Sequence, residues 1–346
     1  MDSLIVIHPE FESHWPFVAE HFLSLWQRQG KTELVRLTRE DGRRLGEVYA
    51  YPQQVYRLAS LGAPVTMSCL ESFTALKEAT FPASYGPSQL PENCRAYLQQ
   101  RGVKLYDHPS EGFWGQSVAE FGLALTICGL RHITQSAHEM ITSQEPWERY
   151  KAFRNQGPGQ NGSQSSDDLR FTHGTVAGKR VRIVGAGNIG SRYASFVRML
   201  GAEVAVWDPF ASEPAFHRTG ARREWHLEQL LQDAEIFAPM LPLTPQTRNL
   251  ITTAHIDSLP QGCLVVLVTR AAICDMAAVR RRVLADELSL AADVFDVEPL
   301  PLDDPLLGRA NVVHTPHLAG RTVDANRAWV EALANQFLPL DKLSAS

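Results

Sequence analysis

The sequence predicts an α/β protein of two domains, each built on a doubly wound parallel sheet. Its 346 residues exceed the roughly 250–300 residues at which a single hydrophobic core stops growing. From Lys179 to His317, apolar strand-like runs alternate with helix-like segments, which is typical of a parallel sheet covered by helices on both faces. A shorter alternation of the same kind begins at Leu4. We therefore expect a small N-terminal α/β domain and a larger second one.

The N-terminal region is predicted to open with a strand, a helix and a second strand. Leu4–Ile7 is a short apolar run typical of a buried strand, and residues 12–29 carry aromatic residues near helical spacing. Leu34–Leu37 is interpreted as the second strand. Ser84–Pro91 is rich in Gly, Pro and Ser and is predicted to be a loop. The other residues between 40 and 110 show no periodicity from which elements can be assigned.

A strongly apolar helix is predicted from Ser117 to about Arg131. Ser117 and Glu120 have the spacing of a capping box, in which the Ser side chain accepts a hydrogen bond from the backbone at the third helical position. Residues 155–168 are polar and are interpreted as a surface insertion without a chemical role. Residues 322–338 have the periodicity of one amphipathic helix.

The segment between Lys179 and His317 contains the most regular alternation in the chain. A strand followed by a turn is predicted in KRVRIVGAG, and the further predicted strands are, in order, EVAVWD, EIFAPML, CLVVLVT, SLAADVF and NVVHTPH. Its predicted helices span residues 188–200 and lie near 226–232, 253–258 and 275–285. Because a helix separates most successive strands, the strands are expected to run parallel.

A glycine-rich turn follows the first of these strands and opens a helix. Its glycines have the spacing of a dinucleotide-binding turn, which needs a tight bend, room for a pyrophosphate and close helix–strand packing. The helix N-terminus offers free N–H groups to the phosphates. Asp208 ends the next strand, 18 residues after Gly190, where a ribose-binding carboxylate is expected roughly 20 residues on. The alternative interpretation is an ordinary βαβ unit with a glycine turn and a strand-end Asp that bind no cofactor. The predicted cofactor-binding residues are Gly185, Gly187, Asn188, Ile189, Gly190 and Asp208.

The strand-end carboxylate favours NAD over NADP. Asp208 can accept hydrogen bonds from the ribose hydroxyls, and its charge repels a 2′-phosphate. No Arg or Lys lies between Asp208 and Arg218. We therefore predict NAD as the cofactor.

Three polar residues lie at or near the ends of later strands, where open α/β sheets bind their ligands. Arg270 offers a planar, permanently charged fork for a carboxylate, and His317 can exchange a proton with a carbonyl oxygen. Glu298 can fix the tautomer of the imidazole. Taken singly, each residue is more readily explained without a function: Arg270 as a surface ion-pair partner, Glu298 as a loop carboxylate and His317 as a loop histidine. Together they fit hydride transfer at C2 of a small 2-hydroxy or 2-keto acid.

The motifs GAGNIG, WDPF, LPLTPQTRNLI, VTRAAICD, AADVFDVEP and TPHLAG occur in this order over residues 185–320. This series resembles the D-isomer-specific 2-hydroxyacid dehydrogenase family, strongly from about Ser117 to Gly320 and faintly before it. Formate dehydrogenase is a relative with Gln at the position of the catalytic Glu, and Glu298 here argues against that activity.

The resemblance implies roles for particular residues. Arg270 is the expected substrate-binding Arg, Glu298 the partner of the histidine, and His317 the acid/base. Asp293 is expected to hold the nicotinamide carboxamide. Tyr85 and Gly86 lie where the family offers backbone N–H groups to the substrate carboxylate. The expected neighbours of the cofactor are Leu241, Pro242, Thr247, Val268 and Thr269.

The resemblance also implies two Rossmann-like or flavodoxin-like domains with the active site in the cleft between them. Residues 117–317 are expected to bind NAD, while 1–116 and 318–346 together form the substrate domain. We expect a cytoplasmic homodimer.

Three departures from the family pattern affect the expected substrate pocket. The family's N-x-x-R-G is replaced by a motif with Leu267 and Ala271, which calls the geometry around Arg270 into question. The substrate loop G-x-G-x-D is replaced by SYGPS at residues 84–88. Phe113 and Trp114 stand where many relatives carry small residues; they could line a larger apolar pocket or simply pack in the core.

Composition and charge exclude several other classes of protein. With 44% apolar and 21% charged residues the chain fits neither a disordered nor a fibrous protein. The formal net charge of −5 argues against nucleic-acid binding, and no apolar run is long enough to span a bilayer. The five cysteines form no CxxC pair and are expected to be reduced thiols.

Two rival functions remain at this point. A non-catalytic NAD(H)-sensing protein of the corepressor type is the alternative, since that branch of the family keeps the same three polar residues. A metal hydrolase is more distant: His314 and His317 could be a ligand pair, but no third ligand motif accompanies them, and we expect no metal.

Overall fold

The computed structural model describes residues 2–84, 88, 90–108, 113–144, 146–147 and 167–339. The chain divides into two compact units: the first unit is Met1–Phe113 with Arg321–Ser346, and the second unit is Trp114–Gly320. The family resemblance implies boundaries at 116/117 and 317/318, whereas the compact units change at 113/114 and 320/321.

The strands and helices of the described residues alternate along both units. The strands are β1 Asp2–Ile7, β2 Thr32–Arg36, β3 Val55–Leu61, β4 Glu78–Thr80, β5 Lys104–Leu105, β6 Arg180–Val184, β7 Glu203–Trp207, β8 Arg222–Arg223, β9 Ile236–Pro239, β10 Leu264–Leu267, β11 Ser289–Ala292 and β12 Val312–His314. The helices are α1 Pro9–His14, α2 Val18–Gln27, α3 Met67–Glu71, α4 Glu92–Gln100, α5 Gly115–Arg131, α6 Ile133–Thr142, α7 Gly190–Met199, α8 Glu213–Thr219, α9 Leu227–Leu231, α10 Thr253–Ser258, α11 Met276–Leu284 and α12 Val323–Ala334.

Each unit is built on one parallel sheet. The sheet of the first unit has the strand order β2-β1-β3-β4-β5, and that of the second unit β12-β11-β10-β9-β6-β7-β8. In the second sheet every pairing of the described strands is parallel, and the central strands are buried along their whole length. Burial on both faces requires the continuous apolar runs that the sequence carries. The predicted α/β fold with doubly wound parallel sheets is confirmed.

The predicted helix over residues 12–29 is wrong in one respect, because two helices occupy this region. Helix α1 ends at His14 and α2 begins at Val18. Between them Pro16 lacks a backbone N–H and disfavours the helical conformation of the residue before it. Phe17 then adopts a left-handed backbone with φ of 68°. Phe22 and Trp26 lie on the buried face of α2 as their spacing indicated, whereas Phe17 is 58% exposed.

The predicted capping box at Ser117 is also wrong. Helix α5 begins at Gly115, with Trp114 as its N-cap residue, so Ser117 is already in the first turn. The Ser117 hydroxyl donates to the carbonyl oxygens of Trp114 at 3.2 Å and Gly320 at 2.8 Å. It therefore ties the loop that ends the second unit to α5 instead of capping the helix.

Several elements of the structure had no sequence prediction. Strands β3–β5 and helices α3 and α4 lie in the region that periodicity left unassigned, and α8 and β8 follow Asp208. The predicted helix over 322–338 is shorter and ends at Ala334. Of the polar insertion at 155–168, residues 155–166 lie outside the described residues. None of the described helices combines the length and apolarity that a bilayer crossing requires.

Candidate active site

The glycine turn lies between β6 and α7, and two of its glycines are required by close backbone contacts. A Cβ on Gly190 would lie 2.1 Å from the Gly185 carbonyl oxygen, and one on Gly185, where φ is +104°, would lie 2.8 Å from the Met240 carbonyl oxygen. A Cβ on Gly187 would have no neighbour within 4 Å, so this side of the turn is open. Ile189 is the N-cap of α7. A tight turn with one open glycine at a helix N-terminus fits the pyrophosphate of a dinucleotide.

Asp208 lies directly against this turn. Strands β6 and β7 pair with Val184 opposite Trp207, so their carboxyl ends meet at one edge of the sheet. Asp208 Oδ2 accepts the Ala186 N–H at 2.7 Å, and Oδ1 accepts two N–H groups of its own loop, from Phe210 and Ala211, at 2.9 Å each. A carboxylate has about four acceptor positions. Oδ2 therefore keeps one for a ribose hydroxyl.

The predicted cofactor neighbours follow the next two strands of the sheet. A Cβ on Gly185 would lie 2.8 Å from Leu241 Cδ2, which puts the Leu241 side chain beside the glycine turn. The Pro242 carbonyl accepts the Thr247 hydroxyl at 2.6 Å, and this bond folds the loop after β9. Val268 and Thr269 follow β10 and are buried. All five lie at the carboxyl edge of the sheet of the second unit.

Two arginines beside the first turn of α7 were not predicted: Arg192 belongs to that turn, and Arg218 lies in the last turn of α8. Arg192 Nη1 donates to the Asn188 carbonyl oxygen at 2.7 Å, and Arg218 Nη1 donates to the Ser191 hydroxyl at 3.1 Å. Burial, and then the charge of Arg218, lower the pKa of Arg192. Positive charge therefore lies beside the glycine turn. The signal in the sequence was an Arg two residues after the last glycine, which periodicity alone assigns to the helix surface.

His317 and Glu298 form a hydrogen-bonded pair. Glu298 Oε2 lies 2.8 Å from His317 Nδ1, and Glu298 Oε1 accepts the Phe295 N–H at 2.8 Å. The side chains are 44% and 37% exposed, so both remain open to a ligand. With Nδ1 on the carboxylate, the Nε2 atom of His317 is the one free to exchange a proton.

Arg270 follows β10, and its side chain is exposed. Its Nη1 atom donates to the Thr269 carbonyl oxygen at 2.6 Å, and no carboxylate pairs with it within the described part of the chain. Ala271 opens a short 3₁₀ helix and lies outside the left-handed region, so its backbone conformation does not require glycine. Leu267, in place of the family's Asn, is buried in the core.

Asp293 follows β11 and is fully buried. Its Oδ1 atom accepts the Thr315 hydroxyl at 2.6 Å and the Leu318 N–H at 2.8 Å, while Oδ2 accepts the Ala319 N–H at 2.8 Å. Thr315 was not predicted as a site residue, although it belongs to the TPH motif. Asp293 and Thr315 thus join the loop of His317 to the sheet.

Strand register explains why these residues belong to one edge. Leu267 pairs with Ala292, and Ala292 with His314, so β10, β11 and β12 end side by side. The segments that carry Arg270, Glu298 and His317 leave the sheet from these three ends. The structure pairs Glu298 with His317, and no contact joins Arg270 to either of them among the described side chains.

The remaining residues that the sequence predicted for the site add little to its described geometry. Tyr85 and Gly86 lie outside the described residues. Phe113 packs edge-on against the His108 ring, with centroids 4.0 Å apart, and this contact favours packing over pocket lining. A Cβ on Gly320 would lie 3.9 Å from the Trp114 ring. No group of three potential metal ligands occurs within the described residues, and His314 is exposed at the end of β12.

Comparison with known proteins identifies a family model that matches within the second unit, together with related sequences and structures. Residues 125–319 match the family model described as D-isomer specific 2-hydroxyacid dehydrogenase, NAD binding domain. The chain is 30% identical to the D-3-phosphoglycerate dehydrogenase of Mycobacterium bovis over 248 residues, which cover 69% of this chain and 42% of that protein. It is 28% identical to the hydroxypyruvate reductase of Thermotoga maritima over 234 residues, 66% of this chain and 67% of that one.

Most of the similar D-3-phosphoglycerate dehydrogenases are longer proteins, and the matched region spans about two fifths of the length of the Mycobacterium protein. Among solved structures, the phosphoglycerate oxidoreductase from Rhizobium etli superposes with a TM-score of 0.69 at 20% identity, covering 96% of this chain and 92% of that one. At this level of identity the likeness concerns the fold.

Proposed function

The chain belongs to the D-isomer specific 2-hydroxyacid dehydrogenase family, and on this premise we propose that it transfers a hydride between NAD(H) and C2 of a small 2-hydroxy or 2-keto acid. The observation that carries the proposal is the 2.8 Å pair of Glu298 and His317 at the edge of the sheet that holds the glycine turn. A histidine held by a carboxylate, with its second nitrogen exposed, is suited to exchange a proton with a substrate oxygen.

The cofactor is a nicotinamide dinucleotide, since the matched domain is the NAD binding domain of the family. When bound, it supplies or accepts the hydride. The open side of Gly187 and the N-terminus of α7 would hold its pyrophosphate, and Asp208 would accept hydrogen bonds from its ribose.

Substrate binding and proton exchange are assigned to three side chains of this protein. Arg270 binds the substrate carboxylate and polarises the neighbouring carbonyl with its fixed fork of donors. His317 gives its Nε2 proton to the carbonyl oxygen in reduction and takes it back in oxidation. Glu298 keeps the imidazole oriented and stabilises its positive charge, as a carboxylate on the other ring nitrogen does.

Further parts of the proposal rest on the family resemblance. Residues 1–116 and 318–346 would supply the substrate domain, with Tyr85 and Gly86 contributing N–H groups to the substrate carboxylate. We also expect a homodimer and a cytoplasmic location. Turnover of NADH on a 2-keto acid separates this enzyme from a non-catalytic NAD(H)-sensing protein.

The protein is expected to prefer NADH over NADPH by at least about tenfold in kcat/KM, because the Asp208 charge repels a 2′-phosphate. Steady-state kinetics with both cofactors measure the preference. Asp208→Asn keeps an oxygen acceptor near the glycine turn and removes the charge. It should therefore lower the ratio of kcat/KM for NADH to kcat/KM for NADPH. An equal or reversed preference in the wild type would show that Asp208 does not set cofactor choice.

Arg270→Lys is expected to raise KM for the keto acid by about 10- to 100-fold, because it keeps the charge and loses the bidentate geometry. The Kd for NADH, measured by fluorescence, should stay close to the wild-type value. Arg281→Lys is a matched control, since Arg281 is an exposed arginine paired with Asp257. A parallel loss of NADH affinity in Arg270→Lys would assign the arginine to the cofactor instead.

A further inference from the structure

The segment that carries Glu298 has no regular secondary structure to hold it. Residues 293–311 connect β11 to β12, and this described stretch contains neither helix nor strand. The Oε1 atom of Glu298 accepts the Phe295 N–H of the same segment at 2.8 Å, and Oε2 lies 2.8 Å from His317 Nδ1. The position of this carboxylate beside the histidine therefore depends on how firmly the backbone near Phe295 is fixed.

Arg280 holds this segment at two points. Its Nε and Nη2 atoms donate to the Asp296 carboxylate at 2.7–3.1 Å, and its Nη1 atom donates to both oxygens of Asp304 at 2.9 and 3.0 Å. Asp296 follows Phe295 directly, and Asp304 lies on the other side of Glu298 in the chain. We call Arg280, Asp296 and Asp304 the arginine clamp. Its two contacts bracket Glu298.

The clamp ties the segment to the core of the second unit. Arg280 belongs to α11, whose Met276, Val279 and Val283 side chains are buried in that core. The Arg280 side chain is 18% exposed and that of Asp304 is 9% exposed, so salt and water screen this pair little. A planar fork of donors can pair with two carboxylates at once, whereas lysine is a point charge on a flexible stem. The geometry of the clamp therefore requires arginine.

We propose that Arg280 is a positioning residue for proton exchange at His317, because it fixes the segment from which Glu298 reaches the imidazole. This inference rests on the proposed function for its catalytic consequence and on the hydrogen bonds of the clamp for its structural part. Loss of the clamp leaves Glu298 and His317 chemically intact but frees the backbone that places the carboxylate. A displacement of about 1 Å can cost on the order of 100-fold in rate.

The first test is Arg280→Met in the full chain, which keeps a long side chain and removes every donor of the clamp. We expect kcat for keto-acid reduction to fall about 10- to 100-fold, with the Kd for NADH changed less than about threefold. Arg281→Met is the matched control, because Arg281 is exposed and pairs with Asp257 instead. Its kcat should stay close to the wild-type value. A wild-type kcat in Arg280→Met would overturn the proposal.

A double-mutant cycle with Glu298→Gln shows whether Arg280 acts through Glu298. If it does, adding Arg280→Met to Glu298→Gln should lower kcat by less than a further factor of about two, since residues that act as a unit are not additive. A merely structural contribution of Arg280 would reduce kcat by the same factor in both backgrounds. Two reductions that simply multiply would therefore count against the proposal.

Hydrogen exchange in the apo protein tests the structural part without any turnover. The Phe295 amide, which donates to Glu298, should exchange faster in Arg280→Met than in the wild type. The Leu290 amide donates to the Asn311 carbonyl oxygen at 2.9 Å, and its exchange should be unchanged. Unchanged exchange at Phe295, or an equal acceleration at both amides, would contradict the proposal.

Asp296→Asn is a second, milder variant if Arg280→Met does not fold. It removes the charge of the carboxylate nearest Phe295 and leaves the pair of Arg280 and Asp304, so kcat should fall less and Phe295 exchange should accelerate less. Wild-type values of both quantities in this variant would contradict the proposal. If the wild type turns over no keto acid, the proposed function fails, whereas the exchange measurement still decides whether the clamp fixes the segment.

Discussion

His317→Ala is expected to lower kcat for keto-acid reduction by about 10²- to 10⁴-fold, the usual contribution of a positioned acid or base. The Kd for NADH should be unchanged, because no predicted cofactor contact involves the ring. His314→Ala is the matched control: it removes an exposed histidine three residues earlier, at the end of β12, and should retain near-wild-type turnover. Near-wild-type turnover of His317→Ala would defeat the catalytic assignment.

The same reaction tests the proton exchange of His317 and its partner. Reduction needs the protonated ring and oxidation the neutral ring, so kcat/KM for reduction should fall as pH rises and that for oxidation should rise over the same range. Glu298→Gln keeps a hydrogen-bonding group but no longer fixes which ring nitrogen of His317 carries the proton. We therefore expect kcat to fall by about 100-fold or more in both directions, with the Kd for NADH unchanged. Near-wild-type kcat in Glu298→Gln would mean that the 2.8 Å contact does not orient His317.

Gly190→Ala is the second substitution with a large expected effect. Its Cβ would lie 2.1 Å from the Gly185 carbonyl oxygen, a backbone atom that cannot move without opening the glycine turn. Overpacking of this kind costs about 1–3 kcal/mol, which corresponds to a fall in Tm of roughly 2–12 °C for a domain of this size. The Kd for NADH should rise about 100-fold or more, because the turn presents the helix N-terminus to the phosphates.

Gly187→Ala is the informative control for this prediction. Its Cβ would meet no protein atom within 4 Å, and Gly187 is not in the left-handed region, so Tm should stay at the wild-type value. NADH affinity should nevertheless fall, because the methyl group occupies the open side of the turn. Thermal melts and fluorescence titrations measure both quantities. Unchanged NADH affinity in Gly187→Ala would show that the pyrophosphate does not bind on that side.

Most strands of the second unit could be predicted because strands that are buried on both faces require continuous apolar runs in the sequence. Strands such as β9, β10 and β11 are covered on both faces, so each appears as an uninterrupted apolar run between helices. The glycine turn was equally predictable, since its tightest contact joins Gly190 to the carbonyl oxygen of Gly185, five residues earlier. Local sequence determines both features.

The sequence predictions are wrong or missing where the local structure depends on a single residue or on contacts between residues far apart in the chain. Pro16 divides a helix whose aromatic spacing is otherwise continuous. Ser117 has the spacing of a helix cap, yet its hydroxyl is used by Gly320, 203 residues away in sequence. Asp293 accepts hydrogen bonds from Thr315, Leu318 and Ala319, which lie beside it because β11 pairs with β12. No local pattern could signal these contacts.

The most direct test of the proposed function is NADH absorbance during incubation of the purified full-length chain with a panel of small 2-keto acids. The account predicts that NADH is consumed only when a keto acid is present. An equimolar amount of the 2-hydroxy acid should form, and His317→Ala should consume almost none. NADH that binds tightly but is consumed with no member of the panel would contradict the account and identify the chain as a non-catalytic NAD(H)-binding protein.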